Sequence, residues 1–113
     1  MKIEFEKTYL RELYETGKTT DKKHRFQPEI VKGYLKCVRV LVEAEVIEEL
    51  FTYPSLRYEK LKGDKQGISS VRVNDKYRLE FREMTRVYNI AENVHTITEI
   101  EFLSLTELSN HYK

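Results

Sequence analysis

Between Ser70 and Arg82 the chain reads Ser-Val-Arg-Val-Asn-Asp-Lys-Tyr-Arg-Leu-Glu-Phe-Arg, and this alternation constrains the fold more than any other stretch. Val71 and Val73 alternate with Ser70 and Arg72, while Tyr77, Leu79 and Phe81 alternate with Arg78, Glu80 and Arg82. A period of two gives each strand one apolar and one charged face. Asn74 and Asp75 promote a tight reversal between the two runs. A two-residue loop would set Val71 opposite Arg78 and split the apolar face. A three-residue loop, Asn74 to Lys76, pairs Val73 with Tyr77, Val71 with Leu79 and Arg72 with Arg78, and is the expected register. It sets two arginines directly opposite each other, where like charges repel. Either an anion completes that face, or Glu80, diagonal to Arg72, neutralises it.

A third strand precedes these two. Leu56 and Tyr58 are followed by Leu61, which breaks the period, and then by the turn residues Gly63, Asp64 and Gly67. A bulge near Lys60 would reconcile the pattern and put Arg57 and Glu59 on the charged face. Ile3 and Phe5 predict a short first strand. Phe5, Tyr9 and Leu13 then recur at helical spacing until Gly17, a left-handed cap. Pro28 suits the first turn of a second helix, whose apolar stripe runs through Ile30, Val31, Tyr34, Leu35, Val38, Leu41 and Val42. A short helical turn is expected around Val46 to Leu50. After Arg82 the pattern blurs from Met84 to His95, as a loop or an extended hairpin. A last strand, Ile97 to Leu105, is expected to turn Ile100 and Phe102 inward. The order predicts an α+β fold: two N-terminal helices packed on one face of a small, mainly antiparallel sheet of four or five strands, the other face basic.

At 113 residues the chain is expected to form one domain, residues 1–113, able to bury a modest core without disulfides or metals. Cys37 is alone within an apolar helical stripe, which excludes a disulfide framework and suits a reducing cytoplasm. No run approaches transmembrane length, and the first residues are too acidic and too short in apolar residues for a signal peptide. The net charge of +1 argues for no partner by itself. Its distribution says more: residues 1–40 carry ten Lys/Arg against six Asp/Glu, and residues 57–86 carry nine against five. The acidic stretch Glu43 to Glu49 would repel nucleic acid. Lys18, Lys22, Lys23, His24 and Arg25 lie in a polar connection, either simply solvated or a basic lip for RNA phosphates. His24 is not a catalytic candidate, because nothing nearby in sequence orients it.

Leu61-Lys62-Gly63-Asp64-Lys65-Gln66-Gly67 followed by Ser70 to Phe81 resembles the HigB-like branch of the RelE/ParE toxin superfamily. The likeness joins an LKGD-x-x-G turn to an S-[VI]-R-[VI]-N-D-x-[YW]-R hairpin, and the end, Glu107 to Lys113, is similar to that of related toxins. The resemblance implies a RelE-like fold and the toxin of a type II toxin-antitoxin system. Such a toxin is a ribosome-dependent endonuclease that cuts messenger RNA (an mRNA interferase), uses no cofactor and is restrained by a cognate helix-turn-helix antitoxin. It further implies a cytoplasmic protein that works on ribosome and mRNA, away from membranes, and reaches operator DNA only through the antitoxin. A ParE-like gyrase inhibitor, or a degenerate member that only binds its antitoxin, shares the fold. At the histidine expected before LKG this chain has Glu59, and its tail reads Asn110-His111-Tyr112, the last two in exchanged order relative to an Asp-Tyr-His group.

The residues themselves contain no Gly-rich phosphate loop before a helix, no Cys/His cluster and no Ser/His/Asp spacing. Cutting RNA without a metal requires a base for the ribose 2′-hydroxyl, cations for the phosphorane-like charge and an acid for the leaving 5′-oxygen. Arg72 and Arg78 are the candidate cations, since guanidinium forks match phosphate oxygens. Lys60, Lys62 and Lys65, with Arg57 and Arg82, supply flanking charge. His111, whose unperturbed pKa is ~6.5, is the expected acid or base, with Tyr112 as a second donor and Glu59 as the residue that orients the arginines.

Overall fold

The computed structural model describes residues 1–89 and 97–110. Its elements run β1 (Lys2–Phe5), α1 (Thr8–Thr16), α2 (Pro28–Glu43), β2 (Glu59–Lys60), β3 (Ser69–Arg72), β4 (Arg78–Asn89) and β5 (Ile97–Ser109). They form one five-stranded sheet in the order β1-β5-β4-β3-β2, antiparallel except where β1 runs parallel to β5. This is the expected α+β arrangement, with the helices on one face.

The hairpin register follows the alternation. Val71 lies opposite Leu79 and Arg72 opposite Arg78, and Val73 N–H donates to the Tyr77 carbonyl at 2.9 Å. The turn is held by Asn74, whose Oδ1 accepts from the backbone N–H groups of Lys76 and Tyr77. The helix face carries Val71, Leu79, Phe81, Leu103 and Leu105, all fully buried beneath Leu10, Leu13, Tyr34, Val38 and Leu41 of the helices. Two tyrosines buried in this core keep their hydroxyls bonded, as burial of a phenol requires. Tyr34 donates to the Leu10 carbonyl at 2.7 Å, and Tyr9 accepts from Leu108 N–H at 3.0 Å. The second contact ties α1 to the far end of β5.

The helix ends are where punctuation residues put them. Gly17 sits at φ 75° and its N–H closes α1 on the Leu13 carbonyl. Pro28 opens α2, where its missing N–H leaves no intrahelical bond unmade. Within α2, Gly33 permits a close approach, because a Cβ there would lie 2.9 Å from Val73 Cγ1 and 3.2 Å from the Val73 carbonyl oxygen. The helix therefore rests directly on the β3–β4 turn.

Three expectations are corrected. First, no strand begins at Leu56: Pro54–Leu56 is a 3-10 turn closed by Arg57 in the left-handed region at φ 45°, which breaks the period, and β2 starts at Glu59. Second, the irregularity in the sheet is not near Lys60. It lies between Glu80 and Phe81, opposite which β5 carries the extra residue Thr106. Third, Ile100 and Phe102 do not face the helices. Paired with Arg86 and Met84, they share the outer face, where Ile100 is exposed and the Arg86 guanidinium lies 4.6 Å over the Phe102 ring. Of the stretch from Met84 to His95, the part up to Asn89 is strand, and the rest lies outside the described residues; beyond Met84 the β4–β5 pair extends past both β1 and β3 as a two-stranded arm.

Gly33→Ala gains about 1 kcal/mol of helix preference but overfills the contact with Val73, at a cost of roughly 1–3 kcal/mol. The expected net result is a lower melting temperature, recovered when Val73→Ala is added. A thermal melt of the single and double variants checks this.

Candidate active site

The outer sheet face was expected to be basic; it is charge-balanced. Arg78 Nη2 lies 3.7 Å from Glu59 Oε1, Arg82 Nε 3.3 Å from Glu6 Oε2, and Arg86 Nη2 3.0 Å from Glu4 Oε2. Arg72 pairs with Asp75 in the adjoining turn, and Lys65 reaches over the face to Glu80. The opposed arginines therefore diverge, each drawn to its own partner, and their mutual repulsion is relieved without a shared anion. Glu80 accepts from Lys65 Nζ at 2.8 and 3.0 Å.

Arg78 is the most structurally committed of these groups, with its side chain only 11% exposed. Nε donates to Ser70 Oγ at 2.8 Å, and Nη2 donates to the Arg57 carbonyl at 2.6 Å and the Ser70 carbonyl at 3.3 Å. The left-handed backbone of Arg57, uncommon for a residue with a Cβ, turns that carbonyl toward the guanidinium. Glu59, opposite Ser70 in the β2–β3 register, leaves about half of its side chain open to solvent. Ser109 of β5 lies opposite Arg78 on the other side. The site thus has a fixed guanidinium with an accessible carboxylate beside it, at the end of β5 from which Asn110 continues. His111 and Tyr112 lie outside the described residues.

The remaining expected cations divide into two groups. Lys65 and Arg82 are held by Glu80 and Glu6. Arg57, Lys60 and Lys62 are exposed and form no ion pair among the described residues. They border β2, on the same edge as Glu59. Lys60 also lines a hollow of about 210 Å³ with Ser69 and Glu83, where Glu83 accepts 2.5 Å bonds from Ser69 Oγ and from Tyr58 Oη. Burial, reinforced by that carboxylate, pushes the Tyr58 phenol up to about 12, so it serves here as a hydrogen-bond donor.

One constellation escaped the sequence reading. His24 Nδ1 lies 2.7 Å from Asp21 Oδ2, and its ring stacks on Tyr9 with centroids 3.8 Å apart and planes within 4°. The histidine dismissed for want of an orienting group has two. The Asp21-Lys22-Lys23-His24 spacing was the available signal, since Asp21 also caps the 3-10 turn through the Lys23 N–H. Phe26 continues the aromatic row and meets Tyr77 edge-on. His24, held by Asp21 and stacked on Tyr9, braces the connection between the helices. Cys37 is inert by position: it is buried, its thiol is pushed up to about 11 by burial, and it lies 3.3 Å from the Arg72 carbonyl. Among the described residues no group of His, Cys, Asp and Glu is placed to hold a metal ion, and no helix is long and apolar enough to cross a membrane.

Two helices on one face of this sheet, with an Arg–Glu site at the edge of the other, define an α+β toxin fold of the RelE-like kind. The family model for the HigB-like toxin, the RelE-like toxin of the HigB type II toxin-antitoxin system, matches residues 3–96, and the chain belongs to that family. Toxin HigB-1 of Vibrio cholerae serotype O1 is 35% identical over 83 residues, which is 73% of this chain and 83% of that protein. Among solved structures, a YoeB/ParE toxin from Agrobacterium tumefaciens superposes with a TM-score of 0.50 at 20% identity, covering 99% of this chain and 100% of that one, a likeness of fold. As the toxin of a type II system, the chain has a cognate antitoxin as its partner.

Two outcomes follow from the charge pairs. Glu80 is nearly removed from water, with its side chain 3% exposed, so Lys65→Ala takes the Lys65 cation away from a buried carboxylate. A loss on the order of 2–3 kcal/mol in urea unfolding is expected, largely regained in Lys65→Ala/Glu80→Gln. The Asp21 carboxyl is held below its usual value by the His24 hydrogen bond and then by the Lys23 N–H. Its contribution is complete above the unfolded carboxylate value and lost as pH falls through the lowered folded value. The stability gap between the wild type and Asp21→Ala is therefore expected to be constant near pH 6 and to narrow below about pH 4, measured as unfolding free energy against pH.

Proposed function

We propose that the chain is a cytoplasmic, ribosome-dependent mRNA endonuclease in which Arg78 stabilises charge on the scissile phosphate. The observation that carries this reading is the fixed guanidinium of Arg78 beside the accessible carboxylate of Glu59, on the edge bordered by Arg57, Lys60 and Lys62, cations that form no ion pair among the described residues. Preorganisation is what electrostatic catalysis requires, because a donor already oriented pays no reorganisation at the moment of reaction. These cations along β2 give an RNA backbone its path to the site.

In this scheme the ribose 2′-hydroxyl gives up its proton and attacks the adjacent phosphorus while the P–O5′ bond breaks and the leaving 5′-oxygen takes a proton, giving a 2′,3′-cyclic phosphate and a 5′-hydroxyl; Arg78 faces the developing negative charge. Glu59 keeps the guanidinium in place. His111 is the proton-transferring group, with Tyr112 as a second donor, because an imidazole titrates near working pH. Both belong to the segment that follows Ser109, the residue in register with Arg78. Arg72 takes a supporting role, since its guanidinium is turned to Asp75.

The test is primer extension on a translated message in a cell-free extract. Wild type is expected to give discrete cuts, Arg78→Ala none, and His111→Gln cuts slowed by about 10²-fold or more. Arg78→Lys is expected to retain partial activity, because a point charge lacks the fork that spans Ser70 and Arg57. Lys2→Ala, which removes an exposed cation from β1 at the opposite edge of the sheet from β2, serves as a folded control with near-normal cutting. A DNA-damage response with no cuts would replace this reading with gyrase inhibition. Silence in both assays would leave only antitoxin binding.

A further inference from the structure

Behind the β2–β3 edge, the hollow of about 210 Å³ lined by Lys60, Gly67, Ile68, Ser69 and Glu83 carries polar groups that the proposed reaction does not use. Strand alternation puts it on the opposite face from Arg78. Glu59 and Ser70 meet Arg78 on the outer face, so their neighbours Lys60 and Ser69, paired with each other, turn the other way, and Ser69 lies opposite the buried Phe81. Glu83 is fixed in place: its Oε2 accepts from Ser69 Oγ and from Tyr58 Oη, both at 2.5 Å, and those two hydroxyls are 3.3 Å apart. Its Oε1 accepts from no group among the described residues, and Lys60 forms no ion pair among them. Gly67 sits at φ 90°, where a Cβ would meet nothing within 4 Å, so that wall is bare backbone open to close approach. Ile68, 8% exposed, gives the hollow an apolar floor.

We infer that this hollow is a guanine-reading subsite for the RNA strand, with Glu83 and Lys60 as its specificity-determining residues. A carboxylate oxygen and an ammonium lining one hollow sum to no charge, so they suit a flat neutral ligand with N–H donors on one side and an acceptor on the other. Glu83 repels a phosphate, and Lys60 repels a metal cation. Guanine brings N1–H and N2–H to the carboxylate while O6 and N7 accept from the ammonium. Uracil flanks its one N–H with two carbonyls, which a carboxylate repels, and adenine offers an amino group but no carbonyl. The route from the phosphate site is short. Arg57, Lys60 and Lys62 draw the backbone along β2, which is two residues long and ends the sheet. Its two faces are served by the neighbours Glu59 and Lys60, whose Cα atoms stand about 3.8 Å apart, so a nucleotide next to the one held at Arg78 turns its base around that edge. The inference rests on the RNA-cutting reading of the site and adds the base that it selects.

The probes are labelled hexanucleotides with 2′-hydrogens in place of the hydroxyls, so that binding is read without cutting: one all uracil, the others with a single guanine, hypoxanthine or adenine at the same inner position. Titrated onto the full-length chain at low salt, the guanine probe is expected to bind about tenfold more tightly than the all-uracil probe, within the range of one well-placed polar pair. Hypoxanthine, which lacks the N2 amino group, is expected to fall between them. Glu83→Gln keeps an oxygen for Tyr58 and Ser69, and Lys60→Ala changes an exposed side chain; each is expected to bring the guanine-to-uracil ratio within about twofold of one. Lys2→Ala is expected to keep the wild-type ratio. The inference is overturned if the wild type binds the guanine and uracil probes alike, if adenine binds as tightly as guanine, or if both subsite variants keep the wild-type ratio. Should thermal melts show Glu83→Gln unfolded, the ratio in Lys60→Ala decides. Primer extension on translated messages carrying each base in turn beside the cut separates this from the proposed function. Probe discrimination by a chain that leaves every message uncut overturns the cutting reading and not the subsite, whereas cuts that ignore the base overturn the subsite and not the cutting.

Discussion

A carboxylate almost wholly withdrawn from water organises the outer half of this molecule. Glu80 sits mid-strand in β4, and Lys65 must reach across from the turn after β2 to neutralise it. That ion pair draws the Gly63–Lys65 turn onto the sheet and so seats the two-residue strand β2 beside β3. With β2 in place, Glu59 lies opposite Ser70, and the carbonyl of Arg57 is within reach of Arg78. A strand this short contributes few ladder bonds, so its position depends on side chains. A buried charge is a demanding device, since removing a partner such as Lys65 leaves it less compensated.

The same logic separates the two faces and the two sets of cations. On the sheet, arginines stand in a crowded, partly dehydrated layer, and each is matched by a carboxylate: Glu59, Asp75, Glu6 or Glu4. On the helix side, lysines and arginines project from well-formed helices and the connection between them, with water to solvate them and no acid required by the fold. Matched charges in the sheet hold its arginines in place. The near-neutral net charge of +1 conceals this division.

Much of the candidate site was visible as residue types. Arg72, Arg78, Glu59 and the flanking cations were picked out by alternation and turn chemistry, and Arg78 and Glu59 do meet. Their division of labour was not visible. Arg72 and Arg78 look equivalent in a repeating pattern, yet Asp75 in the turn claims one, while Ser70 and the Arg57 carbonyl claim the other. The Asp21–His24 pair was missed for a related reason: the i, i+3 spacing was present, but the stacking surface comes from Tyr9, on a different helix.

The sequence by itself determined what is local: the register of the β3–β4 hairpin, the left-handed stop at Gly17, the start of α2 at Pro28 and the two helices before the sheet. These depend on periodicity and on backbone preferences that act within a few residues. Tertiary structure alone decided the rest. The left-handed Arg57 is held by a hydrogen bond to a residue 21 positions away, the bulge at Thr106 reconciles β5 with β4, and β1 lies parallel beside β5. The pairing of each arginine with its acid belongs here too, because Glu4 and Glu6 reach Arg86 and Arg82 only when β1 closes the sheet edge. Coulombic partners are chosen by distance in space, and a sequence read one strand at a time carries no such distances.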